Sequence, residues 1–206
     1  MFVCVVDYGM GNIGSIVNMV THLGFRPVVV DQPDSLDNYE KIILPGVGHF
    51  GEAMKRIRKI GWLSALENAK NRNTWIMGIC LGMQLMTRFS VEGNCEGLGW
   101  FDLDTKRFPE NDHLDKSIKA PHMGWNTASF RPGVGFPHLS ECERFYFVHS
   151  FFVDGADKSE CLATTEYEGI RFASGIRQGR VIGVQFHPEK SHRCGKALIR
   201  DFINLK

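Results

Sequence analysis

Short apolar runs and helix-like periodicity alternate along the first half of the chain. Residues 2–7 form the first apolar run, and later runs cover 28–30, 41–44 and 75–79. After the first run, one helical face collects Ile13, Ile16, Val17, Val20 and Leu23, ahead of Gly24. Helical segments also lie between about 50 and 72. Because strands buried on both faces alternate with helices in doubly covered sheets, the pattern predicts an α/β fold with a mostly parallel central sheet flanked by helices.

The second half of the chain has a different texture, with short alternating segments between residues 98 and 186. These segments cover 100–107, 144–148, 161–166, 170–176 and 180–186, and Gly, Pro and charged turns separate them. They predict additional and partly antiparallel strands. An amphipathic helix near 195–205 follows. Because no repeat, linker or low-complexity tract interrupts the pattern, we expect residues 1–206 to form one domain.

The composition describes a near-neutral chain that is large enough to bury a full core. Of the 206 residues, 43% are hydrophobic, and 24 Lys and Arg stand against 23 Asp and Glu, for a formal net charge of +1. That balance favours neither nucleic acid nor an acidic membrane surface, and no apolar segment reaches the ~20 residues of a membrane span. The six cysteines are scattered without a C-x-x-C pair, so we expect a cytoplasmic protein without a metal site.

The loop after the first strand carries the spacing Gly9-x-Gly11-x-x-Gly14, with Asp31 twenty positions after Gly11. This spacing is typical of dinucleotide-binding turns. However, Asp7 puts a carboxylate at the strand end, where it would repel a pyrophosphate. The sequence therefore predicts a tight turn in this loop rather than a dinucleotide site.

A cysteine lies where a buried strand ends, in the segment Gly78-Ile79-Cys80-Leu81-Gly82. A strand, a sharp glycine-rich turn and a predicted helix over 83–89 match the nucleophile elbow, with cysteine in place of serine. Free N–H groups at the start of that helix would favour the thiolate. On this pattern alone, a buried structural cysteine is an equally good interpretation.

A histidine and a glutamate follow the apolar run 181–186 near the end of the chain. His187 and Glu189 flank Pro188, and residues two apart on an extended chain project to the same side. We therefore expect His187 to face the Cys80 thiolate while Glu189 orients the imidazole, as in a nucleophile, base and orienter triad. Taken alone, a histidine before proline is more typical of a structural residue.

A second glycine-rich turn, Leu44-Pro45-Gly46-Val47-Gly48, follows the third predicted strand. Glycines on both sides of one residue let the backbone approach a ligand and turn an N–H toward it. We expect the N–H of Leu81 and an N–H from Val47 or Gly48 to form an oxyanion hole.

Five segments in this order resemble the motif set of class I (triad) glutamine amidotransferases. They are Pro45-Gly46-Val47-Gly48, Gly78-Ile79-Cys80-Leu81-Gly82-Met83-Gln84, Pro121-His122-Met123-Gly124-Trp125-Asn126, Tyr146-Phe147-Val148-His149-Ser150 and Gln185-Phe186-His187-Pro188-Glu189-Lys190. The resemblance covers essentially the whole chain and implies a flavodoxin-like fold with extra antiparallel strands. Within the family, the third segment resembles that of the glutaminase subunits of imidazole glycerol phosphate synthases, which serve histidine biosynthesis.

The resemblance also implies roles for individual residues. Cys80 would attack the glutamine side-chain amide, His187 would protonate the departing ammonia, and water would release glutamate, with no cofactor. Glutamine would lie against Gly46, Gly48, Gln84, Glu92 and the backbone of Ser150 and Phe151. A (β/α)₈-barrel synthase would dock as the other half of a heterodimer over Asn12, Pro121, Met123, Trp125 and Lys190.

Other interpretations stay open at this point. Gly14, Phe151 and His192 differ from the residues usual in this subunit, and the last two resemble paralogues encoded with surface-polysaccharide genes. Those paralogues supply ammonia to a nucleotide-sugar amidotransferase. A stand-alone thiol hydrolase would keep the elbow without Gln84 and Glu92, and a silent nucleotide-binding or interaction module would need neither. Met123 and Trp125 are also compatible with a place in the core.

Overall fold

A computed structural model describes residues 1–109, 119–133, 135–139 and 144–206. The strands are β1 (Phe2–Val6), β2 (Arg26–Val30), β3 (Lys41–Gly46), β4 (Trp75–Cys80), β5 (Thr87–Ser90), β6 (Cys95–Glu96), β7 (Phe101–Arg107), β8 (His122–Thr127), β9 (Ser129–Phe130), β10 (Arg144–His149), β11 (Phe151–Asp154), β12 (Cys161–Tyr167), β13 (Ile170–Gln178) and β14 (Val181–Val184). The helices are α1 (Ile13–His22), α2 (Phe50–Ile60), α3 (Trp62–Asn71), α4 (Leu81–Leu85) and α5 (His192–Asn204). Short 3₁₀ segments cover Pro33–Asn38, Pro137–Leu139 and Pro188–Lys190.

The parallel part of the main sheet has the strand order β2-β1-β3-β4-β14. This is the order of a flavodoxin-like, doubly wound sheet, in which ligands bind beyond the carboxyl ends of the strands. The two faces of the sheet have separate cores: Val3 and Val5 pack with residues of α1 and α5, whereas Cys4 and Val6 pack with residues of α2 and α3. The predicted α/β fold with a mostly parallel sheet flanked by helices is therefore confirmed.

The second half of the chain extends this sheet with antiparallel strands, as the alternating pattern predicts. β14 pairs with β13, which continues through β11 to β7, and all three pairings are antiparallel. β8 and β10 leave the main sheet and pair with each other, with His122 opposite His149. This small sheet lies beside the end of β14, because the His187 N–H donates to the Tyr146 carbonyl at 2.8 Å.

The predicted helix over 83–89 is wrong in its extent. α4 ends at Leu85, and the chain then enters β5, where Thr87 pairs with Phe101 of β7. The Thr87 hydroxyl donates to the Gln84 carbonyl at 2.7 Å, which closes the end of the helix. Thr87 and Phe89 suit a pleated strand better than a helix, and β7 offers them a ladder. Because α4 is so short, its dipole adds little to the stabilisation of a thiolate.

The loop after β1 forms the predicted tight turn at its first glycine. Gly9 has φ +86°, and its N–H donates to the Asp7 carboxylate at 2.9 Å. Gly14, the last glycine of the spacing, lies in α1 rather than in the turn.

Two further sequence expectations concern cysteines and membrane spans. The described cysteines at positions 4, 80, 95, 161 and 194 are free, and Cys142 lies outside the described residues. In the ranges that the structure describes, no helix is long and apolar enough to cross a bilayer.

Candidate active site

Cys80 occupies a strained turn that only close backbone packing can hold. Its φ of 55° and ψ of −111° are unusual for a residue with a side chain. A Cβ added at Gly82 would lie 1.9 Å from the Leu44 carbonyl oxygen, and one at Gly78 would lie 2.6 Å from the Gly82 carbonyl oxygen. The two glycines therefore let β3, β4 and α4 approach closely enough to force the turn, as the elbow pattern predicts.

His187 and Glu189 form the hydrogen-bonded pair that their spacing suggests, although the backbone differs from the prediction. The imidazole Nδ1 and the Glu189 carboxylate are 2.7 Å apart, and both side chains are only 2% exposed. The apolar strand ends at Val184, and Pro188–Lys190 fold into a 3₁₀ turn instead of continuing as extended chain. The turn still brings the two side chains together, with the Glu189 carboxylate at Nδ1 of the ring.

Burial and the neighbouring side chains shift the pKa of His187 in opposite directions. Burial by itself lowers the pKa of the imidazole, but its interactions with Cys80 and Glu189 raise that pKa to about 10. Nε2 is buried without a conventional hydrogen-bond partner among the described residues. Cys80 and Glu189 therefore favour the imidazolium form of His187, which can donate a proton to a leaving group.

A cavity of about 360 Å³ opens in front of Cys80 at the carboxyl ends of β3 and β4. Its lining comprises Val47, Gly48, Cys80, Leu81, Gln84, Glu92, Pro121, Val148, His149, Ser150, Phe151, His187 and Lys190. It thus brings together nearly all the residues to which the sequence assigned catalysis, oxyanion stabilisation or glutamine binding. Two of those residues do not line it. Glu189 lies behind His187, and Gly46 is a buried member of β3 whose Cα faces Tyr8 and the elbow.

Hydrogen bonds within the protein hold the polar side chains of the cavity in place. The Gln84 amide donates to the Phe151 carbonyl at 2.9 Å and to the Gln185 side-chain oxygen at 3.0 Å. The Glu92 carboxylate accepts the Phe50 N–H at 2.8 Å, at the first residue of α2. Both side chains are therefore oriented before any ligand enters, which lowers the entropic cost of binding.

Comparison with known proteins decides the family. Residues 4–205 match the family model described as glutamine amidotransferase class-I. This chain is a class I glutamine amidotransferase.

The amidotransferase also has similar relatives along its whole length. A Methanococcus maripaludis protein named imidazole glycerol phosphate synthase subunit HisH 2 is 42% identical over 203 residues, which cover 98% of each chain. A Pseudomonas aeruginosa protein of the same name is 41% identical over 207 residues, or 98% of this chain and 99% of that protein. A Moorella thermoacetica protein named subunit HisH is 39% identical over 205 residues, or 98% and 94%.

Solved structures agree with the fold of the amidotransferase. A chain of PurLQS from Thermotoga maritima has a TM-score of 0.71 at 22% identity, over 98% of this chain and 97% of that one. The glutaminase domain of Trypanosoma brucei CTPS, solved with bound acivicin, has a TM-score of 0.68 at 15% identity, over 100% and 95%. The expected fold of class I glutamine amidotransferases is confirmed.

Two residues near Cys80 receive no role from the sequence. His149 lines the cavity, and it sits in the segment whose neighbours Ser150 and Phe151 were assigned to glutamine. Tyr8 is buried with a hydroxyl that has no partner among the described residues, and burial, followed by the Cys80 charge, raises the pKa of that hydroxyl. Tyr8 has no predicted role, because nothing in the sequence pattern indicates that the loop after β1 reaches the elbow.

The outer surface near the cavity carries the residues that the resemblance assigns to a partner. Met123 is 62% exposed and Trp125 is 41% exposed, so the interpretation that both belong to the core is wrong. Trp125 stacks on His192 with ring centroids 5.3 Å apart, while Pro121 and Lys190 line the cavity itself. Asn12 lies immediately before α1 and is partly buried.

In the described part of the chain, no group of His, Cys, Asp and Glu is arranged to hold a metal ion.

Proposed function

We propose that this amidotransferase is the glutaminase subunit of an imidazole glycerol phosphate synthase, and that it supplies ammonia from glutamine during histidine biosynthesis. The observation that carries the proposal is the cavity in front of Cys80, which collects a nucleophile, an imidazolium and preoriented polar side chains. The names of the relatives at 42% and 41% identity support the pathway.

The proposed reaction begins with Cys80. Its thiolate attacks the side-chain amide carbon of glutamine, and the carbonyl oxygen becomes an oxyanion that accepts hydrogen bonds from the Leu81 N–H and from the N–H of Val47 or Gly48. His187 then donates its proton to the amide nitrogen, so the C–N bond breaks and ammonia leaves a thioester. Water, deprotonated by the now neutral His187, attacks the thioester and releases glutamate and Cys80. Glu189 keeps the ring oriented in both steps.

The polar groups of the cavity suit the backbone end of glutamine. Glu92 provides a carboxylate for the substrate ammonium, and its bond to the Phe50 N–H fixes the direction in which it points. Gln84 and the backbone of Ser150 and Phe151 also line the cavity and offer further donors and acceptors. Gly48, with φ +109°, gives the neighbouring N–H groups freedom to turn toward or away from the oxyanion.

The partner in this proposal is a (β/α)₈-barrel synthase that forms a heterodimer over Asn12, Pro121, Met123, Trp125 and Lys190. Exposed methionine and tryptophan side chains at one place favour an interface over a solvated surface. Pro121 and Lys190 belong to both the surface and the cavity, so a docked synthase would receive ammonia where it forms. We expect low activity in the free subunit and strong activation by the synthase with its ligand bound, because docking can bias the 46–48 turn.

Ammonia release from glutamine tests the proposal directly. The purified subunit is assayed alone, with the cognate synthase, and with the synthase and its ribonucleotide ligand. Cys80→Ser should abolish the release in every condition while the circular dichroism spectrum stays unchanged. Cys95→Ser is the matched control and should retain the activity, since that thiol lies in β6, outside the cavity. Substantial ammonia release by Cys80→Ser would contradict the proposal.

The ammonia acceptor can be tested in the same assay. The interpretation with a nucleotide-sugar amidotransferase is not favoured, because the three relatives named above carry the name of the synthase. If the histidine-pathway synthase fails to raise ammonia release while a sugar amidotransferase from the same genome succeeds, the assigned pathway is wrong and the glutaminase chemistry stands.

A further inference from the structure

Two histidines that the proposed reaction does not use lie buried together between the small sheet and the cavity. His122 of β8 and His149 of β10 are paired across the two strands. Aromatic rings enclose them: His122 stacks between Tyr167 and Phe147, with centroid distances of 4.1 and 4.7 Å. A buried imidazole needs hydrogen bonds to offset the loss of water. The hydrogen-bond partners of the two rings therefore determine which ring nitrogen carries the proton.

The hydrogen bonds of the two rings run in one direction. His149 Nδ1 is 2.7 Å from the Phe151 carbonyl, which can only accept, so Nδ1 carries the proton. His149 Nε2 is then the acceptor for His122 Nδ1, at 3.0 Å. His122 Nε2 accepts in turn from the Asn126 amide nitrogen at 3.2 Å. This assignment holds for neutral rings, and burial lowers the pKa of His122 to about 4 and that of His149 to about 3.

The inner end of this row of hydrogen bonds is the Phe151 carbonyl, which belongs to a residue that lines the cavity. The same oxygen accepts from the Gln84 amide at 2.9 Å, and the other Gln84 amide proton goes to Gln185. The Gln185 amide nitrogen lies 3.7 Å from the Cys80 sulfur. His149 therefore shares an acceptor with Gln84, which lines the cavity and leads to the nucleophile.

The outer end of this row of hydrogen bonds is Asn126 in β8, and the other face of β8 is exposed to solvent. His122 and Asn126 point inward from β8, whereas Met123 and Trp125 point outward. The Asn126 amide is itself fixed, because its nitrogen donates to the Glu166 carbonyl at 2.9 Å and its oxygen accepts the Thr127 N–H at 2.7 Å. Pressure on the outer face of β8 displaces the inner face as well, since both belong to one strand.

We propose that His122 and His149 are positioning residues that transmit the placement of β8 to the glutamine cavity through the Phe151 carbonyl. Neither ring donates or accepts a proton in the reaction. They act as a fixed hydrogen-bonded chain, called here the histidine chain, comprising Asn126, His122, His149 and the Phe151 carbonyl. This inference rests on the proposed function, because it assumes that a partner docks on Met123 and Trp125 and that glutamine occupies the cavity.

Amide side chains can replace one ring nitrogen at a time. In His122→Asn, the amide nitrogen takes the place of Nδ1 and keeps the donation to His149, but the bond from Asn126 is lost. In His122→Gln, the amide oxygen takes the place of Nε2 and keeps the bond from Asn126, but the donation to His149 is lost. Each variant breaks one bond of the histidine chain, and His122 does not line the cavity.

The expected result is a loss of coupling without a loss of basal chemistry. Both His122 variants should keep the glutaminase rate of the free subunit within about twofold and lower the synthase-dependent increase by about threefold to thirtyfold. Phe147→Leu is the control, because it removes a ring that packs on His122 but no side-chain hydrogen bond, and it should keep most of the increase. Full activation of both His122 variants by the synthase would overturn the inference.

His149→Gln separates positioning from simple packing. It keeps an acceptor for His122 and removes the donor to Phe151, so the KM for glutamine should rise by about threefold to thirtyfold while kcat changes less. An equal loss in kcat with an unchanged KM would contradict a role at the Phe151 carbonyl.

Nitrogen-15 NMR of the imidazoles in the wild-type subunit tests the geometry without any activity. At pH 7 both rings should be neutral with the proton on Nδ1, and a proton on Nε2 of His149 would overturn the inference. The two failures are distinguishable. If the synthase elicits no ammonia release from the wild type, the proposed function fails, and the NMR result still decides whether the histidine chain exists.

Discussion

The two walls of the cavity in front of Cys80 are held in place by different kinds of contact. The nucleophile wall comprises the carboxyl ends of β3 and β4 with His187, where glycines let backbone meet backbone around Cys80. The β8–β10 wall comprises the small sheet and Phe151, which side-chain hydrogen bonds through His122 and His149 connect. One wall is set by steric exclusion and the other by replaceable polar bonds.

This difference has consequences for what each wall can do. Backbone packing has one solution, because a displaced elbow would overlap the neighbouring strand, and that rigidity suits a nucleophile that must stay aligned. Hydrogen bonds between side chains tolerate small shifts and transmit them, which suits a wall that responds to a partner. The β8–β10 sheet is also separate from the main sheet, so it can move without breaking the parallel ladder. Changes in the nucleophile wall should therefore have the larger effects.

The largest expected effect is the loss of His187. His187→Ala removes the proton donor, and kcat at saturating glutamine with the synthase present should fall by about 10²-fold to 10⁴-fold. Glu189→Gln should cost less, because it only weakens the orientation of the ring and the support of its positive charge. Steady-state ammonia release measures both. Near-normal turnover by His187→Ala would mean that the triad interpretation is wrong.

A methyl group at the elbow should be the next largest change, and it acts on stability. In Gly82→Ala the new Cβ would lie 1.9 Å from the Leu44 carbonyl oxygen, so strands must separate, and the free energy of unfolding should fall by about 3 kcal/mol. Chemical denaturation measures the change.

Gly14→Ala is the matched control for the elbow glycine. Gly14 lies in α1 with open space around its Cα, so alanine should stabilise the protein by about 0.5–1 kcal/mol. If the two variants were equally stable, close packing would not be what holds the elbow.

Much of the nucleophile wall could be predicted from the sequence, because its constraints are local. The elbow glycines flank Cys80, and His187 and Glu189 are two residues apart, so each of these two parts is visible in a local spacing. Local patterns fail where a tertiary neighbour decides the structure. The chain after α4 becomes β5 because β7 lies beside it, and that pairing joins residues well apart in sequence.

The β8–β10 wall was much harder to predict. His122 and His149 are 27 residues apart, and neither lies in a spacing that indicates contact with the other. The resemblance drew attention to their segments, but it assigned roles only to their neighbours. Exposure of Met123 and Trp125 was likewise undecided, since an apolar side chain on an edge strand is compatible with either face.

Acid should weaken the β8–β10 wall before it affects the elbow. The folded-state pKa values of His122 and His149, about 4 and about 3, lie below the value of about 6.5 for an unfolded histidine. Between the folded and unfolded pKa values, the unfolded chain binds more protons than the folded one. The contribution of the two neutral histidines to the free energy of unfolding is therefore fully present above pH 6.5, and it declines as the pH falls. Each of the two histidines corresponds to a loss of about 2 kcal/mol between pH 7 and pH 5.

Denaturation at several pH values, compared with His149→Phe, isolates this contribution. The variant lacks one of the two buried imidazoles, so its stability should depend less steeply on pH, whereas His22→Ala, at an exposed helix end, should keep the wild-type slope. Equal slopes for the wild type and His149→Phe would show that His149 is not buried in the neutral form.

The smallest expected effect concerns the outer face of β8, which is exposed to solvent in the free subunit. Trp125→Ala should weaken binding of the synthase by about tenfold, since an exposed tryptophan at an interface commonly contributes that much. Val29→Ala, which shortens another exposed apolar side chain on the distant strand β2, is the control and should bind normally. Calorimetric titration gives both affinities.

Alkylation of Cys80 by an electrophilic glutamine analogue should proceed at the wild-type rate in the free Trp125→Ala subunit, because Trp125 does not line the cavity. A slower alkylation would mean that the outer face shapes the nucleophile wall even without a partner, and the division between the two walls would then be wrong.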